Sequence, residues 1–137
     1  MIGLGLALAR PDRRVAVITG DGDMLMGLGS LATIGVKQPK NLAIVVLDNA
    51  RYGETGMQPS HTDRGIDLVA VALACRFNHG HVVSSSDDAA HVRALLHRGE
   101  GPLLINARIK PEDTPRVLPL RDGHAIKQRF IEALNSV

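Results

Sequence analysis

Aromatic side chains are nearly absent from this sequence, which has two Phe, one Tyr and no Trp. That scarcity argues against a single-stranded nucleic acid binder, which needs stacking platforms. It also calls for a core of Leu, Val, Ile and Ala, the usual filling of parallel sheets covered by helices. Cysteine is reduced to Cys75, so no internal disulfide can form. Its apolar neighbours suit a buried thiol better than a nucleophile, and a reducing cytoplasm fits. Charge of one sign is not concentrated either. Sixteen basic residues are interspersed with fourteen acidic ones for a net +2, in no basic block longer than Arg13-Arg14, so no nucleic acid partner is expected. Long hydrophobic runs are missing as well. The apolar opening Met1 to Ala9 has no basic leader, is far too short to span a bilayer and runs into Arg10-Pro11-Asp12-Arg13-Arg14, so neither a signal peptide nor a membrane span is expected. It suits the end of a packed helix.

What is present describes one ordinary globular unit. The chain has 137 residues, 45% hydrophobic and 22% charged, a size that forms a single domain with a real core and a composition that points to neither disorder nor a coiled coil. Arg14 to Thr19 is a β-branched run that reads as a buried strand, stopped by a tight turn at Gly20-Asp21-Gly22. From Met24 to about Val36, apolar residues recur at helical spacing until Pro39, and Gly27, Gly29 and Gly35 within that span imply close packing against a neighbour. Leu42 to Leu47 is the strongest strand signal, continuous in apolarity and therefore central, and it ends at Asp48-Asn49. Ala50 to Gly65 reads as a long functional loop. Beyond it the pattern predicts a helix over Asp67 to Phe77, a strand over His81 to Ser84, and a helix over Asp87 to Arg98 capped by Ser86. A last strand over Pro102 to Ile109, a Pro-containing stretch over Pro111 to Leu120 and a final helix from Gly123 to Leu134 complete the order. Strands that alternate with helix-length segments imply an α/β fold, a three-layer parallel sheet with helices on both faces.

In such folds ligands bind beyond the carboxyl ends of the strands, where this sequence carries Gly20-Asp21-Gly22 and Asp48 to Gly53. A glycine-flanked step from strand into helix exposes backbone N–H groups that can hold a phosphate. Asp21 and Asp23 would repel that phosphate unless a divalent cation lay between them. Mg²⁺ fits, since it takes one or two protein oxygens together with phosphate oxygens and water, and Asp21 with the amide oxygen of Asn49 is such a sparse set. Taken singly, Gly20-Asp21-Gly22 is better read as only a tight turn and Asp48-Asn49 as only an Asx turn. Their occurrence at the ends of two strands one helix apart favours a shared metal and diphosphate site.

Gly20-Asp21-Gly22 followed by Asn49 resembles the signature of thiamine-diphosphate-dependent enzymes. The resemblance implies Mg²⁺ ligands at Asp21, Asn49 and the Arg51 carbonyl. It implies cofactor contacts from Gly20, Asp21, Gly22, Asp23, Met24, Asn49, Arg51, Tyr52 and Gly53. Many members have two adjacent Asn residues where this chain has Asp48-Asn49. The segment Asp48 to Gln58 with His61-Thr62, and the tail Leu118 to Gly123, are similar to sulfopyruvate and phosphonopyruvate decarboxylases. The resemblance therefore implies the diphosphate-binding half of a 2-oxo acid decarboxylase, a carboxy-lyase. In some organisms the sulfopyruvate enzyme has separate subunits with this kind of domain as the second chain, so a separate pyrimidine-binding subunit and an oligomer are implied. The activating Glu of the family belongs to that other subunit, and no catalytic acid or base is assigned here. Relatives carry a further strand and Gly-rich turn ahead of the helix at Met1, so residues 1–137 are expected to form one domain without that strand and turn.

Glu54 and Thr55 lie just past the expected metal site and could face substrate or order the loop, and His61 is a weaker candidate of the same kind. Arg51 could attract an anionic substrate group or be a solvated loop charge. The six His show no zinc spacing. Two further readings stay open, a carboligase of the acetolactate synthase type and a non-catalytic domain that keeps the fold for assembly.

Overall fold

A computed structural model describes residues 1–112, 115 and 117–136. Four strands, β1 (Val15–Gly20), β2 (Leu42–Asp48), β5 (His79–Val83) and β6 (Leu103–Arg108), form one parallel sheet in the order β1-β2-β6-β5. A two-residue hairpin, β3 (Arg51–Tyr52) and β4 (Gln58–Pro59), stands apart from it. Parallel neighbours need crossovers, and these are helical: α1 (Ile2–Ala9) precedes β1, α2 (Asp21–Met26) and α3 (Ser30–Lys37) follow it, α4 (Leu68–Ala74) leads into β5, and α5 (Ala89–Arg98) into β6. A sixth helix, α6 (Gly123–Asn135), ends the described chain.

Because side chains alternate along a strand, the sheet has two apolar faces. Leu42, Ile44 and Val46 of β2 and Leu104 of β6 pack with Leu4, Ala7, Met24, Leu31, Ile34, Leu68, Val69 and Ala72, which come from α1 to α4. Ala43, Val45, Leu103 and Ile105 point the other way, toward Val92, Leu95 and Leu96 of α5. The expected three-layer arrangement is therefore present but uneven. Four helices cover one face and α5 covers part of the other, leaving Ile18 of β1 at 69% exposure. Both faces of β2 are covered, as its unbroken apolar run predicted.

Several local expectations are corrected. Gly20-Asp21-Gly22 is not a tight turn: the strand passes directly into α2, with Gly20 as its N-cap in extended conformation. The single helix expected over Met24 to Val36 is two helices separated by a turn at 27–29, where Gly27 and Gly29 favour a break over continuation. Gly35 is the glycine that close packing requires, since a Cβ there would lie 1.5 Å from the Cys75 carbonyl oxygen. The strand expected over His81 to Ser84 starts two residues earlier, at His79, and ends at Val83. The serine that accepts at the next helix start is Ser85, from the Asp87 N–H, and a 3₁₀ turn over Ser86–Asp88 delays α5 to Ala89. The stretch expected to be loop over Ala50 to Gly65 holds the hairpin and two 3₁₀ turns, Gly53–Thr55 and His61–Arg64. Cys75 is half-buried. Part of the Pro111 to Leu120 stretch lies outside the described residues. Among the described residues, no helix is long and apolar enough to cross a membrane.

Candidate functional site

The register of β1 on β2 builds the site. Gly20 stands opposite Leu47 in that ladder, so Asp21 and Asp48, each the next residue, emerge side by side at the carboxyl ends of the two strands. Asp48 in turn pairs with Arg108 at the end of β6, which places Asn106 two residues back on the same face. Three neighbouring strand ends thus present Asp21, Asp48 and Asn106, at 2%, 7% and 4% exposure.

Burying carboxylates costs several kcal/mol per ion unless charge partners or hydrogen bonds offset it. Asp48 is offset by three donors. Its Oδ1 accepts from the Ala50 N–H at 3.0 Å and the Thr62 hydroxyl at 2.8 Å, and its Oδ2 accepts from the Asn106 Nδ2 at 2.9 Å. Asp21 has less. Its Oδ2 accepts from the Ser60 hydroxyl at 2.5 Å and lies 3.3 Å from that of Thr62, while its Oδ1 carries no hydrogen bond among the described residues. No cationic side chain reaches either carboxylate among the described residues, because the nearest cation of the loop, Arg51, pairs with Asp63 at 3.0 Å and donates to the Ala50 carbonyl.

The hairpin loop supplies the opposite wall. Asn49 Oδ1 accepts from the Arg51 N–H at 3.0 Å, an Asx turn that fixes the side chain beside the groove. Tyr52 lies across Gly22, where a Cβ would come within 3.0 and 3.2 Å of its ring carbons. The tyrosine hydroxyl meets His61 Nδ1 at 2.7 Å. Between these walls lies an open groove of about 290 Å³ lined by Gly20, Asp21, Gly22, Asp23, Asn49 and Tyr52, with Arg51, Gly53, Glu54 and Thr55 completing the rim.

Of the residues that the sequence singles out, only Met24 and His61 stand away from this groove. Met24 is 8% exposed within the apolar core, and His61 lines an adjoining apolar hollow with Leu25, Leu28 and Ile66. Arg51 lines the groove, but its guanidinium is engaged by Asp63. Sequence reasoning missed Ser60, Thr62 and Asn106. One signal was available for Asn106, a lone amide in the buried run Leu103 to Ala107, where an unpartnered polar group is costly. Ser60 gave none and Thr62 figured only in the resemblance of His61-Thr62, since hydroxyls in a polar loop are unremarkable until the fold brings them under Asp21.

The donor set suits a hard, oxygen-seeking cation. Asp21 Oδ1, the Asn49 amide oxygen and the Arg51 carbonyl belong to residues of one groove, and the remaining coordination positions would be left to a phosphate ligand and water. Among the described residues, no cluster of three or more His, Cys, Asp or Glu side chains is placed to share an ion. His79, His81 and His91 come near one another on β5 and α5 without forming one.

Residues 2–107 match the family described as thiamine pyrophosphate enzyme, C-terminal TPP binding domain. The sulfopyruvate decarboxylase subunit beta of Methanocaldococcus jannaschii is 53% identical over 97% of this chain and 70% of its own length. That of Methanothermobacter thermautotrophicus is 42% identical over 96% of this chain and 67% of its own. The phosphonopyruvate decarboxylase of Streptomyces viridochromogenes is 44% identical over 80% of this chain. The match spans 27% of that last protein, so the chain corresponds to about a quarter of it and to about two thirds of the beta subunits. With a family match over most of its length and relatives at these identities, the chain belongs to the C-terminal TPP-binding domain family of thiamine pyrophosphate enzymes.

Proposed function

We propose that this chain is the diphosphate- and Mg²⁺-binding subunit of a 2-oxo acid decarboxylase of the sulfopyruvate or phosphonopyruvate type, acting in the cytoplasm as part of an oligomer with a separate pyrimidine-binding subunit. The observation that carries this reading is Asp21. It is 2% exposed, stands beside a second buried carboxylate, receives no cationic side chain among the described residues and keeps one oxygen without a hydrogen bond at the groove. A divalent cation supplies the missing positive charge, and a diphosphate then becomes a welcome ligand where the two aspartates alone would repel it. The helix that begins at Asp21 has six residues, too few for its dipole to hold a diphosphate unaided, which places more weight on the ion.

Asp21, Asn49 and the Arg51 carbonyl would hold Mg²⁺. Gly20 and Gly22 leave the strand end free of side chains at the groove, and Tyr52 closes on Gly22 as its wall. Thiamine diphosphate, when bound, supplies the electron sink that decarboxylation of a 2-oxo acid needs. The chain's own part is to hold and orient that cofactor by its diphosphate end. Glu54 and Thr55 stand on the same rim and would face the substrate. The names of the relatives support decarboxylation over carboligation and support a partner subunit.

Calorimetric titration with thiamine diphosphate and Mg²⁺ tests the site: binding should require the ion and disappear in Asp21→Ala. Equal binding by the variant refutes it. Product analysis with sulfopyruvate, phosphonopyruvate and pyruvate, in the presence of the pyrimidine-binding subunit, then tests the reaction. Condensed products in place of a free aldehyde, with carbon dioxide released in either case, would favour a carboligase.

A further inference from the structure

The Ser60 and Thr62 hydroxyls make four oxygen-to-oxygen contacts under Asp21, and only two protons are available to make them. Ser60 Oγ lies 2.5 Å from Asp21 Oδ2, Thr62 Oγ1 lies 2.8 Å from Asp48 Oδ1, and the two hydroxyls lie 2.9 Å from each other. Thr62 Oγ1 is also 3.3 Å from Asp21 Oδ2. A hydroxyl donates one hydrogen. Thr62 can therefore serve Asp48, or it can serve Asp21 directly or through Ser60, but not both carboxylates at once. Asp48 has two other donors, the Ala50 N–H and Asn106 Nδ2, whereas Asp21 has only the hydroxyls.

From this arrangement we infer that Thr62, with Ser60, is a positioning pair for the ion-binding carboxylate: it holds Asp21 by Oδ2 so that Oδ1 faces the groove, and it ties that carboxylate to Asp48 on the neighbouring strand. This rests on the Mg²⁺ reading above and extends it to residues that touch neither ion nor cofactor. With the Thr62 proton on Asp48, its nearer partner at 2.8 Å, and the Ser60 proton on Asp21, each carboxylate keeps one hydroxyl donor while the two hydroxyl oxygens stay in contact at 2.9 Å. Losing the Thr62 hydroxyl leaves Asp21 held by Ser60 alone and removes the link between the strand ends. Partners that orient a metal ligand typically change metal affinity by about 10–100-fold.

The test is Mg²⁺ titration at saturating thiamine diphosphate on the unaltered chain and on Thr62→Val, Thr62→Ser and Ser60→Ala, with circular dichroism on each to confirm the fold. Thr62→Val and Ser60→Ala should each raise the Mg²⁺ dissociation constant by about 10-fold or more, and Thr62→Ser, which restores the donor, should return it to the unaltered value. A purely structural hydroxyl would lower the ligand-free melting temperature and leave the ion affinity of the folded protein where it was. Unchanged affinity in Ser60→Ala, and in Thr62→Val if that variant folds, overturns the inference when Asp21→Ala still abolishes binding. If the unaltered chain shows no Mg²⁺-dependent binding even with the pyrimidine-binding subunit present, the site reading itself falls and takes this pairing with it.

Discussion

Replacing Asp21 with Asn separates what the carboxylate does for the fold from what it does for a ligand. In the ligand-free protein the substitution removes a buried charge that has no cationic partner among the described residues, which returns a desolvation cost of several kcal/mol. Against this, hydrogen bonds from Ser60 and Thr62 to a charged oxygen weaken when the acceptor becomes neutral, by roughly 1–2 kcal/mol each, and the 3.3 Å contact contributes less than the 2.5 Å one. The two effects oppose each other at similar size, so ligand-free Asp21→Asn should unfold within about 2 kcal/mol of the unaltered chain. The loaded protein behaves differently. At a ligand concentration about 100 times the dissociation constant, a site that binds only the folded state adds about 2.7 kcal/mol. For a chain of this size that is roughly 8 °C in melting temperature, and Asp21→Asn should lose all of it. Thermal unfolding with and without Mg²⁺ and thiamine diphosphate measures both quantities. A variant that the ligands still stabilise fully, or one that loses more than about 4 kcal/mol without ligands, would show that Asp21 is a structural residue and not an ion ligand.

The two glycines near α3 should diverge. Gly35→Ala drives a Cβ into the Cys75 carbonyl and should cost about 2–3 kcal/mol or prevent folding, whereas Gly29→Ala, in open space at φ −61°, should be neutral or stabilise by about 0.4–1 kcal/mol; urea unfolding compares them. Asp67 caps α4 by accepting from the Val69 and Ala70 N–H groups, so Asp67→Ala should lower stability by about 1 kcal/mol in the same assay. His81 is pushed below its ordinary 6.5 by burial first, then by the neighbouring His91 and His79, and its Nε2 is buried without a partner. The unfolded chain therefore takes up a proton before the folded one does, so stability falls as the pH drops through 6.5 and levels off below the folded value. His81→Gln should flatten the melting temperature measured across that window; an unchanged slope would place the dependence elsewhere.

The sheet was legible because its signals are local. Leu42 to Leu47 announces a strand covered on both faces by apolarity alone, and the two polar strand ends mark where a ligand could sit. The division of helix from turn was not legible, because Gly27, Gly29 and Gly35 are the same residue in different roles. Two release the chain into a turn, and the third admits the Cys75 carbonyl, which only a tertiary contact decides. The groove itself was largely readable from Gly20 to Gly22 and Asn49 to Thr55. Its supports were not. Ser60 and Thr62 act on Asp21 from about forty residues away in the chain, and Asn106 acts on Asp48 from 58. Met24 shows the converse, since a motif position turned inward with the helical period and joined the core.

The bond from Asn106 to Asp48 has a polarity, and that polarity constrains which residues can occupy the two positions together. Asp48 only accepts, so its partner on the neighbouring strand must give. An asparagine at position 48 would keep its oxygen for Ala50 and Thr62 and turn its amide nitrogen toward Asn106, whose own amide can rotate to meet it with Oδ1, an atom buried without a partner among the described residues. The pairing that polarity forbids is an aspartate at 106 beside Asp48, two acceptors with no proton between them. Asn106→Asp alone should therefore destabilise the fold, and adding Asp48→Asn should restore much of the loss.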